Sequence, residues 1–313
     1  MKKITVIFLL ITLFSCGTLK KATYETITQK QSRISLEKDL QFLSSDSLKG
    51  RFPGTQTFEI AADYLANELS NSKIKPFFKN SYKDTFMIKK VVTYNIVGVI
   101  GNRNNNESCI LLCAHYDHLG MKRSKKDSIY NGANDNASGV TAVLGIAKFL
   151  SNYTTNKKII IAFFSGEESG LLGSEHLAKR LKENHVNLKY VLNFEMLGKT
   201  LTKAENQVYI TGFNTSNLSQ LVNSKLGKEF MVFLPIEEKQ QLFYRSDNYP
   251  FYKLFQVPSH TISTFDFKND PYYHNVEDEY SHLDMDNFNK LVNLSTLMVV
   301  ELLKDDKQLK MLK

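Results

Sequence analysis

The sequence predicts an α/β domain whose largely parallel sheet is covered by helices on both faces. Five short apolar runs, 95–100, 109–114, 159–164, 190–194 and 257–263, have the length and unbroken apolar character of strands buried on both sides. Between and after them the apolar residues recur at helical spacing, and strands alternating with helices imply parallel crossover units. Across 313 residues, 42% hydrophobic and 23% charged side chains are globular proportions, which exclude disordered, collagen-like and coiled-coil chains.

In chain order, Lys2 and Lys3 precede an uncharged, mostly apolar run over 4–14. As a helix it would reach only ~16 Å, too short to cross a bilayer, so residues 1–15 read as a secretory signal peptide. The following Leu13-Phe-Ser-Cys-Gly17 resembles a bacterial lipobox, in which Cys16 becomes the lipidated first residue of the mature protein. This predicts a cell-envelope lipoprotein, periplasmic or at the outer membrane, attached through its N-terminal lipid. Removing 1–15 takes away two lysines and no acids, so the mature charge is 8 − 2 = +6. Residues 16–34 are polar and lack apolar periodicity, as a tether should. The domain is expected over 35–303, followed by a charged and frayed tail at 304–313.

Within the domain Ile60, Tyr64, Leu65 and Leu69 line one face of a first helix. Val140, Val143, Leu144, Ala147 and Leu150 line a second. Phe288, Leu291, Val292, Ser295, Met298, Val299 and Leu302 line the last. The polar stretch 102–107 reads as a turn between two early strands, so part of the sheet is expected to be antiparallel. Cys109 and Cys113, four apart on one strand, lie ~13 Å from each other and read as core thiols. The densest basic run is Lys122, Arg123, Lys125 and Lys126. It reads as a solvated loop, and with no aromatic-rich or nucleic-acid motif beside it, no nucleic-acid partner is expected.

Open α/β sheets bind ligands at the carboxyl ends of their strands. Run 109–114 leads into His115-Tyr-Asp-His118, run 159–164 into Ser165-Gly-Glu-Glu168, and run 190–194 directly into Glu195. Asp135 sits in a turn-rich segment leading into the helix near Ser138, and His274 lies just past the last strand. Imidazole nitrogens with carboxylate oxygens suit zinc or a similar divalent ion, and one carboxylate can bridge two ions. Five candidate ligands are more than one catalytic zinc needs, so two metals are expected.

Four motifs carry a resemblance. Ala114-His-Tyr-Asp-His-Leu-Gly120, Asn131-Gly-Ala-Asn-Asp-Asn-Ala-Ser-Gly139, Ser165-Gly-Glu-Glu-Ser-Gly-Leu-Leu-Gly-Ser174 and Asn193-Phe-Glu-Met-Leu-Gly198 resemble, in order, the motif set of the co-catalytic di-zinc aminopeptidases. These are zinc exopeptidases related to glutamate carboxypeptidase and the glutaminyl cyclases. Leu48-Lys-Gly-Arg-Phe-Pro-Gly-Thr55 is similar to the family's opening segment, and Arg245-Ser-Asp247 with Tyr273, His274 and Asp278 to its closing one. The resemblance covers about 35–303 and implies a single α/β domain with a mixed, mostly parallel eight-stranded sheet.

By position it implies that His115, Asp135 and Glu195 hold one zinc and that Asp135, Glu168 and His274 hold the other, with Asp135 as bridge. Glu167 takes the general-base place, Tyr273 the place of a hydroxyl that stabilises the oxyanion, and Asp117 that of a carboxylate orienting the His115 ring. His118, His176, His185, His260 and His282 receive no metal role. Glu195 stands where the family usually has Asp, Asn134 where Asp is common, and Asn248 where His is frequent.

The implied function is an aminopeptidase acting on peptides with a free N-terminus. A glutaminyl cyclase with one zinc is a second reading, disfavoured because the known cyclase pockets are rich in tryptophan and this chain has none. A carboxypeptidase preferring acidic ends is a third. A non-catalytic binding protein is disfavoured by the intact ligand set.

Overall fold

Strands β4 (Cys109–His115) and β5 (Lys158–Phe164) are buried along their whole length, and this places them at the middle of the sheet. The computed structural model describes residues 25–28, 31–101, 108–123, 127–153, 155, 157–305 and 307–312. The expected signal peptide, the lipidated Cys16, most of the tether and the 102–107 turn lie outside the described residues.

The other strands are β1 (Lys75–Pro76), β2 (Lys83–Ile88), β3 (Val91–Ile100), β6 (Leu188–Glu195), β7 (Val208–Ile210), β8 (Met231–Val232) and β9 (Ser259–Ser263). They form one mixed sheet in the order β1-β3-β5-β4-β6-β9-β7-β8, with β2 paired to β3. The central β5-β4-β6-β9 strands are parallel. Strand β3 is antiparallel to β5, and β7 to β9. Part of the sheet is therefore antiparallel, as expected, but the 102–107 connection does not join neighbours, because β5 lies between β3 and β4.

Side-chain alternation sorts the core into two layers. Ile110, Leu112, Ala114, Ile159, Ile161 and Phe163 face one side. There they meet α1 (Arg33–Leu43), α2 (Gln56–Asn71), α3 (Gly139–Leu150), α5 (Leu218–Leu226) and α8 (Met285–Lys304). Cys109, Leu111, Cys113, Ile160, Ala162 and Phe164 face the other, against α4 (Leu172–Glu183) and α7 (Asn248–Phe255). A short α6 (Pro235–Lys239) lies between β8 and α7 in the chain. Both thiols are free and buried, as expected.

Three expectations need correction. In α2 the buried face is Phe58, Ala61, Ala62, Leu65 and Leu69, whereas Ile60 is 45% exposed and Tyr64 only half-buried. The tail is not frayed: Asn217 N donates to Lys310 O at 3.2 Å, Lys310 N to Asn217 Oδ1 at 2.9 Å and Leu312 N to Thr215 O at 2.9 Å. Its backbone has found an edge to pair with. Inside the expected tether Ile27 is fully buried in the main core, and Thr296 Oγ1 donates to Gln31 Oε1 at 3.0 Å, so this stretch packs on the domain. Among the described residues no helix is long and apolar enough to cross a membrane.

Candidate metal centre

The carboxyl ends of β4, β5 and β6 deliver His115, the Glu167–Glu168 pair and Glu195 to one edge of the sheet. After β5 the chain must turn sharply, and Gly166 takes φ +77°, where an added Cβ would come within 2.6 Å of Ile88 Cδ1. Asp135 arrives on the 133–138 segment before α3. Its loop is held by Asp278, whose two carboxylate oxygens accept from Asn134 N at 2.8 Å and Asp135 N at 2.9 Å. His274 comes from the turn after β9, with φ +54°, in the left-handed region that few non-glycine residues adopt.

These side chains converge. His115 Nε2 lies 3.4 Å from Asp135 Oδ1, and His274 Nε2 lies 3.2 Å from Asp135 Oδ2 and 3.3 Å from Glu168 Oε2. Asp135 thus presents one oxygen to each histidine. His115, Glu167 and Glu195 offer ligand atoms within 4.8 Å of one another, as do His118, Asp135 and Glu168. The structure brings together every metal-ligand candidate expected from the sequence. It adds His118, fully buried, with Nδ1 at 2.7 Å from Glu168 Oε1.

Asp117 departs from its expected part. Its carboxylate Oδ1 is 3.9 Å from His115 Nδ1, beyond hydrogen-bond range, and accepts instead from Glu167 N at 3.2 Å. His115 Nδ1 lies 3.2 Å from the backbone carbonyl of Asp117, so the peptide orients the ring and the carboxylate fixes the turn carrying Glu167. Tyr273 does line the pocket, against Asp135, Glu167 and Glu195, with its ring on those of Phe265 and His274.

Glu195 is received by a polar cradle. The Ser246 hydroxyl donates to its Oε2, Asn193 Nδ2 reaches the same oxygen at 3.4 Å, and Thr261 Oγ1 links Ser246 to Asn248 at 2.9 Å each. Asn248 is thereby a support for the cradle. Asn134 is a support too: its Oδ1 accepts from Gly198 N at 2.8 Å and its Nδ2 donates to Asp270 at 2.6 Å.

Arg51, 1% exposed, ties the loops together. Its guanidinium donates to the carbonyls of Tyr116 (2.8 Å), Asn131 (2.6 Å), Gly132 (3.1 Å) and Leu43. Burial lowers its pKa to about 10, against the opposing pull of Asp135, Asp278, Asp117 and Glu168, so it stays charged near neutrality.

Burial and like charges dominate the titration of the site. Burial, with Glu195 and Asp247, raises Glu167 well above the usual carboxylate range despite His115. Burial and the Asp135 charge raise Glu195, against His115 and the Ser246 hydrogen bond. Asp135 and Glu168 are lowered instead, because histidine hydrogen bonds outweigh their burial. Burial works against the proton on His115, yet Glu167, Asp135 and Glu195 raise its pKa well above normal. Crowding acids this way is costly without cations between them. His115 Nε2 is also buried without a hydrogen-bond partner. The donor set, imidazole with carboxylate, fits zinc.

The family model described as peptidase family M28 matches residues 95–299. The chain belongs to peptidase family M28. It is 28% identical over 224 residues to aminopeptidase YwaD of Bacillus subtilis (strain 168), covering 70% of this chain and 47% of that protein. It is 31% identical over 155 residues to a probable zinc metalloprotease of Pyrenophora tritici-repentis, covering 49% and 34%. The chain thus spans half or less of the length of these curated relatives. Legionella pneumophila LapA aminopeptidase superposes with a TM-score of 0.69 at 17% identity, over 96% of this chain and 77% of that one. Porphyromonas gingivalis glutaminyl cyclase gives 0.66 at 20%, over 86% and 98%. These two likenesses establish the fold, a single α/β domain with a mixed sheet.

Proposed function

We propose that this M28 protein is a zinc-dependent aminopeptidase that takes two zinc ions and is tethered to the cell envelope through a lipid on Cys16. The observation that carries the reading is Asp135, whose two oxygens lie 3.4 Å from His115 and 3.2 Å from His274, so that it would serve both groups of ligands. His115, Asp135 and Glu195 would hold one zinc, and Asp135, Glu168 and His274 the other. When bound, zinc supplies Lewis acidity and makes water acidic enough to react near neutral pH.

Glu167 is the proton carrier. Grouped with His115 and Glu195, it would take a proton from the attacking water and return it to the departing amine, and the Asp117 contact to its backbone holds it in register. The Tyr273 phenol, kept protonated by burial and the nearby Asp135 and Glu195 charges, donates to the carbonyl oxygen as negative charge grows there. Glu167 and Glu195 provide the negative ground that a free α-amine needs. Met196, Tyr209, Leu242, Phe265 and Phe267 wall the same pocket.

The aminopeptidase name of the bacterial relative and the zinc metalloprotease name of the fungal one support this reading. The test is a panel of free-amine, acetylated and N-terminal glutamine peptides, with and without chelator. Free-amine peptides are expected to lose one residue at a time, acetylated ones to resist, chelation to abolish turnover and zinc to restore it. Cyclisation of the glutamine peptide without hydrolysis, or rapid cleavage of acetylated peptides, overturns the aminopeptidase assignment. For the tether, Cys16→Ser is expected to move the protein out of the membrane fraction. Unchanged partitioning with no lipid detected by mass spectrometry overturns that part.

A further inference from the structure

We propose that His118 is a positioning residue that occupies one carboxylate oxygen of Glu168 and so restricts Glu168 to one-oxygen contact with its metal. The proposal rests on the reading of this cluster as a zinc centre. The two oxygens of Glu168 go to different histidines: Oε1 lies 2.7 Å from His118 Nδ1, and Oε2 lies 3.3 Å from His274 Nε2. Asp135 Oδ2 is 3.2 Å from His274 but 4.0 Å from His118, so His274 is the histidine that meets both Asp135 Oδ2 and Glu168 Oε2, while His118 makes its short contact with Oε1.

An ionised carboxylate only accepts, so the proton of this hydrogen bond sits on Nδ1, and Nδ1 is not a ligand atom while the bond is made. The ring is fully buried and seated against Gly132, where an added Cβ would come within 2.5 Å of His118 Cδ2. Its edges meet Tyr130 and His274, with centroids 6.4 and 5.9 Å away. A ring so enclosed holds Oε1 in a fixed direction and leaves Oε2 as the oxygen that meets His274. A carboxylate held to one oxygen leaves a coordination position open, which a catalytic zinc requires.

The geometry separates three substitutions. In His118→Asn the amide nitrogen stands where Nδ1 stood and can donate to Glu168. In His118→Gln the amide nitrogen falls near the position of Nε2, and in His118→Ala nothing donates. Zinc affinity, measured by chelator competition on each folded metal-free protein, is expected to fall about 10- to 100-fold at one of two sites in the Ala and Gln variants. The Asn variant is expected to recover most of it. Wild-type affinity in the Ala variant, or rescue by Gln in place of Asn, overturns the proposal while leaving the zinc centre standing.

A second measurement needs no variant. In wild-type protein carrying cadmium-113 and nitrogen-15 histidine, two histidines are expected to show metal coupling; a third, from His118, overturns the positioning role in favour of direct ligation. If the wild type takes up no metal at all, the zinc-centre reading fails, and the role of His118 falls with it.

Discussion

Glu167 and Glu168 are adjacent in the chain, yet their carboxylates meet different partners. Glu168 lies against His118 and His274, whereas Glu167 groups with His115 and Glu195. Removing one charge from each should therefore have different effects. Glu167→Gln keeps the shape but cannot accept a proton, and is expected to retain zinc while turnover falls ~10²–10⁴-fold. Glu168→Gln removes the charge of a proposed ligand and is expected to lower zinc occupancy. Elemental analysis beside kcat checks both, and the opposite pattern would exchange the two roles. Residues of this kind were legible because each follows an apolar strand or turn that points it to the same edge. His118 was not: its partner Glu168 is fifty positions away, and spacing says nothing of which way a ring turns. Asp117 was legible as part of the motif but not in its function, since the choice between its carboxylate and its carbonyl is made by the local backbone.

Between elements, the turn over Asp46–Arg51 joins the loops that carry His115 and Asp135. Gly50 takes φ +70° and lets the chain approach so closely that a Cβ there would lie 2.4 Å from Gly120 O and 2.5 Å from Tyr130 O. Arg51 then satisfies four carbonyls from three separate segments. Arg51→Met buries those carbonyls without a donor and removes a cation from beside Asp135 and Asp278. It is expected to cost about 3–5 kcal/mol and to lower zinc affinity through the displaced loops. Arg51→Lys keeps the charge but cannot fork to every carbonyl, so an intermediate loss is expected. Denaturant midpoints of the metal-free variants check this, and unchanged midpoints would reduce the clamp to a bystander. At this scale the central strands were legible because both of their faces are apolar. Strand β2, with Lys83 and Asp84 in it, was not, since it hangs on β3 at the margin of the sheet and alternates between burial and exposure. Strands β7 and β8, of three and two residues, are too short to leave a pattern.

For the molecule as a whole, one buried histidine joins β9 to the 211–216 segment, beside which the last described residues pair. His260 on β9 has Nδ1 at 2.8 Å from the Thr211 carbonyl and Nε2 at 2.6 Å from Ser216 Oγ, and Ser216 in turn bridges to Met311 of the tail. The Nδ1–H therefore donates to Thr211 and the bare Nε2 accepts from the serine, an arrangement open only to the neutral ring. Burial lowers the pKa from 6.5 to about 4. Because the folded value is depressed, the folded state binds fewer protons than the unfolded one, and stability rises with pH across this window. The contribution is complete above pH 6.5, is lost progressively as pH falls through the interval down to about 4, and amounts to about 3 kcal/mol at most. His260→Asn removes the titration while keeping a donor for Thr211. The variant is expected to be less stable than the wild type at pH 8, with the gap closing as pH falls to 4. Groups common to both proteins cancel in that difference. Denaturant midpoints at four or five pH values would measure it, and a gap that stayed constant would mean that His260 does not link the packing of β9 on the 211–216 segment to protonation.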